Sequence, residues 1–240
     1  MAVCPFADQK LIPHGDNDPH LDVVVGAILH VAVSEANSLY DFFAHRSGGI
    51  ESHFYVTKDV DKDGYARIEQ YRDTDWEADA NYRANSFAQA GKTAGYVSIE
   101  TEGMGEGTWT PEQLKSIKRL LTWLAKTHGF KLRKPTGPFS GGVGYHTMFG
   151  APSDWTPVAK TCPGPQRVAQ YERDLVNWMT AASKPAPEHT RVTEARTDLQ
   201  NVIQKLNAAQ DNSADGKPRD KALEEAIKHA EKALGSLPKR

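Results

Sequence analysis

With 240 residues, 39% of them hydrophobic and 25% charged, the chain has the composition of a folded globular protein. It can bury one sizeable core, or one domain plus a small appendage. A formal net charge of −2 leaves no electrostatic footprint for nucleic acid. No apolar run approaches the roughly 18 residues that suggest a membrane span, so no membrane insertion is expected. The first residues, Met-Ala-Val-Cys-Pro-Phe-Ala-Asp, lack a basic n-region and an apolar h-region, so no secretory signal is read there. The protein is expected to be made in a cytoplasm and to reach an outside substrate only if another factor releases it. Two distant cysteines, Cys4 and Cys162, fall short of a disulfide framework and suit free thiols, or one thiol and one ligand.

Residues 23–30, Val-Val-Val-Gly-Ala-Ile-Leu-His, are almost continuously apolar and rich in β-branched side chains, which predicts a buried central strand ending at His30. A short helix is expected over 36–46, with Leu39, Phe42 and Phe43 on its inner face. Residues 52–58 and 65–71 alternate as two paired strands, with 59–64 as their turn. That turn, Asp59-Val-Asp61-Lys-Asp63-Gly64, opens like a calcium loop. Counted from Asp59, however, the twelfth position is Gln70 and Glu69 falls one early, and the flanks read as strands. A solvated hairpin turn is therefore expected. Residues 94–101 make another strand. Thr110-Pro111-Glu112-Gln113 combines a capping box with proline at the first helical position. Leu114, Ile117, Leu120, Leu121 and Leu124 then share one helical face, with Gly129 as the stop. A helix over 166–182 turns Val168, Tyr171, Leu175 and Trp178 inward. Strands interleaved with helices predict an α/β domain over 1–182, a central mixed β-sheet flanked by helices.

Residues 183–188 have the composition of a linker. Over 189–240 a helical hairpin is expected, with Val192, Ala195, Leu199, Val202, Ile203 and Leu206 on one helix. Leu223, Ile227, Ala230 and Leu234 lie on the other, and 211–218 forms the turn. Residues 184–240 carry 11 basic and 9 acidic residues, against 18 and 22 in the remainder. The mild asymmetry suits attraction of the tail to an anionic surface. The apolar stripes equally suit a homo-oligomer formed through these helices.

Three residues suggest chemistry. His30 ends the buried strand, His146 closes the Gly-rich Ser-Gly-Gly-Val-Gly-Tyr-His, and Cys162 lies in Lys-Thr-Cys-Pro-Gly-Pro. Two imidazoles and a thiolate suit Zn2+, which keeps a fourth position for water when catalytic. Separation along the chain leaves their convergence open, and a strand-end histidine or a free cysteine also has ordinary structural uses.

Four segments, in order, decide between these uses: Gly-Ala-Ile-Leu-His30, Ser-His53-Phe-Tyr-Val, Val-Ser-Ile-Glu100-Thr-Glu-Gly, and Gly-Tyr-His146 with Lys160-Thr-Cys162-Pro-Gly. Together they resemble the zinc-dependent N-acetylmuramoyl-L-alanine amidase family. That family includes phage lysis amidases, cytoplasmic anhydro-muropeptide amidases and peptidoglycan recognition proteins. The resemblance implies one Zn2+ on His30, His146 and Cys162, and bacterial peptidoglycan as partner. It implies Glu100 as general base and Lys160 as the cation facing the oxyanion. A strand-end carboxylate and a solvated loop cation are the structural alternatives for these two. His53 is expected beneath the site as a buried, hydrogen-bonded residue supporting it, or as a plain core residue. The family's catalytic tyrosine is replaced by Ser52, so either Glu100 handles protons alone or Tyr55 or Tyr145 substitutes. Trp76, Trp109 and Trp155 are candidates for the substrate groove, with packing as the alternative for each. The phage endolysin branch is the nearest in character, with the tail as a wall-binding or oligomerising element. A non-catalytic recognition protein typically lacks the cysteine ligand present here, and a recycling amidase needs no such tail.

Overall fold

The computed structural model describes residues 2–149 except 14, 16 and 17, residues 161–183, and in the tail residues 197, 199–204 and 227–232. The chain divides into two units, 1–183 and 184–240.

The first unit is built on one mixed sheet. Its strands are β1 (Asp8–Gln9), β2 (Val23–Leu29), β3 (Phe54–Val60), β4 (Ala66–Gln70), β5 (Phe87–Gln89), β6 (Lys92–Thr101) and β7 (Gly142–Tyr145). They lie in the order β1-β4-β3-β6-β2-β7, with β5 folded back on β6. β2 runs parallel to β6 and β7, and β3 parallel to β6, while β3–β4 and β5–β6 are antiparallel. The helices are α1 (Tyr40–His45), α2 (Pro111–His128), α3 (Pro165–Gln170) and α4 (Val176–Ala182), the last two joined through a π-helical turn at Tyr171–Leu175.

α2 forms as its sequence dictates. The Thr110 hydroxyl accepts the Gln113 amide, and the Gln113 side chain accepts the Thr110 amide, so two otherwise orphaned donors are satisfied. Gly129 ends the helix at φ 75°, a left-handed conformation that glycine adopts without a Cβ penalty. The stripe of Ile117, Leu120, Leu121 and Leu124 packs against Leu29, Phe54, Val56, Val97 and Ile99 in the principal core. Successive strand residues point to opposite faces. Tyr55, between Phe54 and Val56, therefore points away from α2 into a second cluster with Leu39 and Tyr71.

Two local expectations change, and a segment without an assigned element gains one. The Gly-rich segment before His146 is strand β7, because Gly26 of β2 lets it approach: a Cβ on Gly26 would lie 1.8 Å from the Gly142 carbonyl oxygen. The predicted helix over 36–46 shortens to 40–45, and Phe42 is 49% exposed, leaning on Phe43 rather than entering the core. Past the π-helical turn, Met179 takes the fully buried position and Trp178 packs only at the margin. The hairpin between β3 and β4 is as expected. Asp61 accepts the amides of Asp63 and Tyr65, both at 2.9 Å, and closes the turn.

In the second unit, residues 199–204 and 227–232 are helical. Leu199 and Ile203, and on the other segment Ile227 and Ala230, are less exposed than their neighbours. The linker 184–188 and the turn 211–218 lie outside the described residues. Among the described residues, no helix is long and apolar enough to cross a membrane.

Candidate metal centre

Strand register brings the two histidines together. Leu29 and Tyr145 are partners in the parallel β2–β7 pair, so the next residues, His30 and His146, leave adjacent strands at the same edge. Their ring centroids are 4.5 Å apart. Cys162 is fixed by the residue after each histidine. The Val31 amide donates to its Sγ at 3.2 Å, and Thr147 donates to its carbonyl from both amide (3.0 Å) and hydroxyl (2.6 Å). One ligand atom from each of the three residues lies within 4.8 Å of the others.

The histidine chemistry is set by a residue that sequence reading missed. His30 Nε2 is 2.7 Å from Asn81 Oδ1. Asn81 donates its side-chain amide to the Tyr96 carbonyl (3.2 Å) and its backbone amide to Asn85 Oδ1 (2.6 Å). With the amide nitrogen committed to a carbonyl, Oδ1 must face His30 as an acceptor. Nε2 then carries the ring proton, and Nδ1 is the bare nitrogen. A metal-ligating histidine needs that arrangement. An imidazole with its tautomer set, a second imidazole and a thiol accepting a backbone amide form a donor set that fits Zn2+.

Glu100 lies beside this set. Its Oε1 is 3.8 Å from His30 Nδ1, its side chain is 15% exposed, and its Oε2 is buried without a hydrogen-bond partner. Burial pushes its carboxyl up to about 8, and a dication beside it would draw it back down. Glu100 also lines a cleft of about 560 Å³ whose other walls include Ala32, Val33, Leu39 and Phe43. The cleft lies on the sheet face away from α2, since Glu100 pairs in register with Tyr55.

The remaining candidates separate clearly. Ser52 is buried, with its hydroxyl 3.4 Å from the Phe54 carbonyl. The Tyr55 hydroxyl donates to the Ala36 carbonyl at 2.6 Å. Tyr145 stacks edge-on with Tyr171 at 5.0 Å, against the core on the α2 side. The Tyr55 hydroxyl is thus committed to a carbonyl, and Tyr145 packs on the α2 side of the sheet, away from Glu100. His53 is fully buried and held below its ordinary range, at about 3, by burial. Its Nε2 donates to the Trp76 carbonyl (2.9 Å) and its Nδ1 accepts the Ser98 amide (3.1 Å). These bonds tie β3 to β6 and to the 76–85 segment, and reach no metal ligand. Trp76 is half-buried, with its ring edge-on to His20 at 5.2 Å. Trp109 takes the packing alternative: it is 1% exposed in the main core, and its indole donates to Thr101 Oγ1 at 2.9 Å. Lys160 and Trp155 lie outside the described residues.

Arg167, also missed, is 2% exposed and donates to the Met104, Glu106 and Pro163 carbonyls. It pins the loop after β6 to the backbone next to Cys162. It sits one position off the apolar stripe of its helix, where an arginine reads as solvated. Asn81 falls in a polar 3-10 turn that carries no motif.

The family model described as N-acetylmuramoyl-L-alanine amidase matches residues 21–165. No curated protein matches the chain by sequence. Among solved structures, the chain is similar to the N-acetylmuramoyl-L-alanine amidase LysC from Clostridium intestinale URNW, at 18% identity and TM-score 0.46, over 71% of this chain and 97% of that one. A mutant endolysin from Bacillus subtilis is similar at 16% identity and TM-score 0.46, over 75% and 98%. Wild-type PGRP-LB from Drosophila is similar at 15% identity and TM-score 0.44, over 69% and 94%.

Proposed function

Because the chain belongs to the N-acetylmuramoyl-L-alanine amidase family, we propose that it hydrolyses the amide joining N-acetylmuramic acid to L-alanine in bacterial peptidoglycan, with Zn2+ held by His30, His146 and Cys162. The observation that carries the reading is the meeting of these three donors within 4.8 Å, beside a buried carboxyl at the edge of a cleft. When bound, Zn2+ supplies a Lewis acid that polarises the scissile carbonyl and makes water a nucleophile near neutral pH. Glu100 takes the proton of the attacking water and returns it to the departing alanine nitrogen, a role suited to a carboxyl poised near neutrality. Asn81 keeps His30 in the ligating tautomer. Lys160 is proposed as the cation that faces the developing oxyanion, and Trp76 and Trp155 as contacts to the glycan or peptide.

Within this activity we assign the chain to the lysis enzymes. Residues 1–182 form the catalytic domain, 183–188 the linker and 189–240 a helical hairpin that binds wall or joins copies of the chain. The presence of Cys162 separates the chain from non-catalytic recognition proteins, and the hairpin from recycling amidases.

Purified protein given peptidoglycan is expected to release new L-alanine amino termini, and a chelator to stop the release. Reducing ends without new amines would identify a glycosidase and overturn the reading. Cys162→Ser is expected to lose bound zinc and activity together, and full activity in that variant would dismiss the metal site.

A further inference from the structure

The outer side of α2 carries a surface that the amidase chemistry does not use. Lys115, Lys118, Arg119, Thr122 and Lys126 follow one another at helical spacing on the face opposite the buried stripe, about 16 Å along the axis at 1.5 Å per residue. With Phe6, Tyr65, Trp123 and Trp178 they line a groove of about 500 Å³ with no carboxylate in its lining among the described residues. Of the neighbouring acids, Asp61 accepts the amides of its turn and also attracts Lys115 and Arg119, and Asp174 pairs with Arg173 and also attracts Lys118. Four cations thus gather on a unit with 18 basic and 22 acidic residues over 1–183, against its net sign.

The groove shares no lining residue with the cleft beside Glu100 and lies on the other face of the sheet. Two of its four aromatic rings carry cations, and Trp123 packs edge-on to Phe54. Lys115 Nζ sits 3.8 Å from the Tyr65 ring centroid, and the Arg119 guanidinium 3.9 Å from that of Phe6 and 4.7 Å from that of Tyr65. Single-stranded nucleic acids are held by stacking bases on open ring faces, and these two faces are occupied. The rings instead hold the cations in place, which reduces the entropy lost when an anion binds. A row of pre-positioned charges with little stacking surface suits a flexible chain of regularly spaced anions.

We propose that this face binds a phosphodiester-linked anionic polymer of the bacterial wall and so holds the enzyme near its substrate by a surface separate from the cleft. The test uses the full chain, co-sedimented with Gram-positive cell walls before and after acid removal of their phosphodiester polymers. Binding is expected to fall roughly tenfold or more on stripped walls, and to weaken steeply between low and high salt, as polyanion binding does. Lys118→Glu, Arg119→Glu and Lys126→Glu together are expected to reproduce the loss on intact walls, while hydrolysis of a small muropeptide continues at the wild-type rate. That retained rate shows the variant is folded, and wall binding reads out the face whether or not the amide is cut. Equal binding to stripped and intact walls, unchanged binding by the folded variant, or a salt-independent wild type would overturn the proposal. So would stronger competition by DNA than by wall polymer of equal charge.

Discussion

The two faces of the sheet are built from different materials. Against α2 the buried side chains are Leu29, Phe54, Val56, Val97, Ile99 and the leucines of the helix, a dry apolar layer. On and around the opposite face, burial has taken in His30, His53, Glu69, Asn81 and Ser98, with Glu100 half-buried beside them, each costly to remove from water unless partnered. Most are partnered. Glu69, fully buried, is met by Lys10 (2.7 Å), Ser38 (2.6 Å), Tyr71 and Arg67, and its Tyr71 partner accepts the Leu39 amide beside the cleft. Glu100 leaves one oxygen unpaired. One face supplies the stability that lets the other hold polar groups in fixed, expensive positions.

That division can be broken at several points. Removing the unpaired carboxyl should have the largest effect. Glu100→Gln is expected to lower turnover by about 10²–10⁴ with zinc content unchanged, read by amine release beside metal analysis; loss of metal instead would make Glu100 a structural partner of His30. On the dry face, Leu120→Ala is expected to cost about 2–5 kcal/mol of stability, measured by urea unfolding, and to leave turnover of the folded fraction intact. A change in metal affinity there would mean that the faces are coupled. Asn81→Ala should weaken zinc binding roughly 10–100-fold, measured by competition with a chromophoric chelator, and should cost the metal-free protein about 1–3 kcal/mol through the Tyr96 carbonyl left without its donor. The smallest effect is one of pH. His53 is held at about 3 in the fold against 6.5 ordinarily, so below 6.5 the unfolded chain takes up a proton that the fold refuses. In the metal-free Glu100→Gln protein, which lacks the raised carboxyl that gains stability over part of the same range, stability should therefore decline as pH falls from about 6.5 toward 3, and a denaturation midpoint unchanged between pH 7 and 4.5 would contradict the burial.

The same contrast governs what could be read in advance. α2 was fully legible because everything that makes it is local: the cap at Thr110, the proline, the 3.6-residue stripe and the glycine stop. The convergence of His30, His146 and Cys162 was legible only through an ordered set of motifs, since it depends on the β2–β7 register and the Thr147 bonds to Cys162. Asn81 and Arg167 were invisible, because a polar residue in a turn or beside a stripe acquires its role only from what folds against it. For Trp109 the sequence leaves groove and packing both open, for the converse reason. An indole suits a groove or a core equally well, and here the Thr101 hydroxyl made the core possible. Phe42 failed because helix periodicity was extended past the true first turn of α1.

The close seat of Gly26 on Gly142 has a further consequence. It clamps the strand that carries the first ligand to the strand that carries the second, and Thr147 brings in the third. An ion held there would join points of the chain at residues 30, 146 and 162, and so close two loops at once. In the unfolded chain those loops would be expensive to close, so the ion would act as a removable cross-link, and the catalytic unit would gain stability in proportion to how tightly it holds its metal.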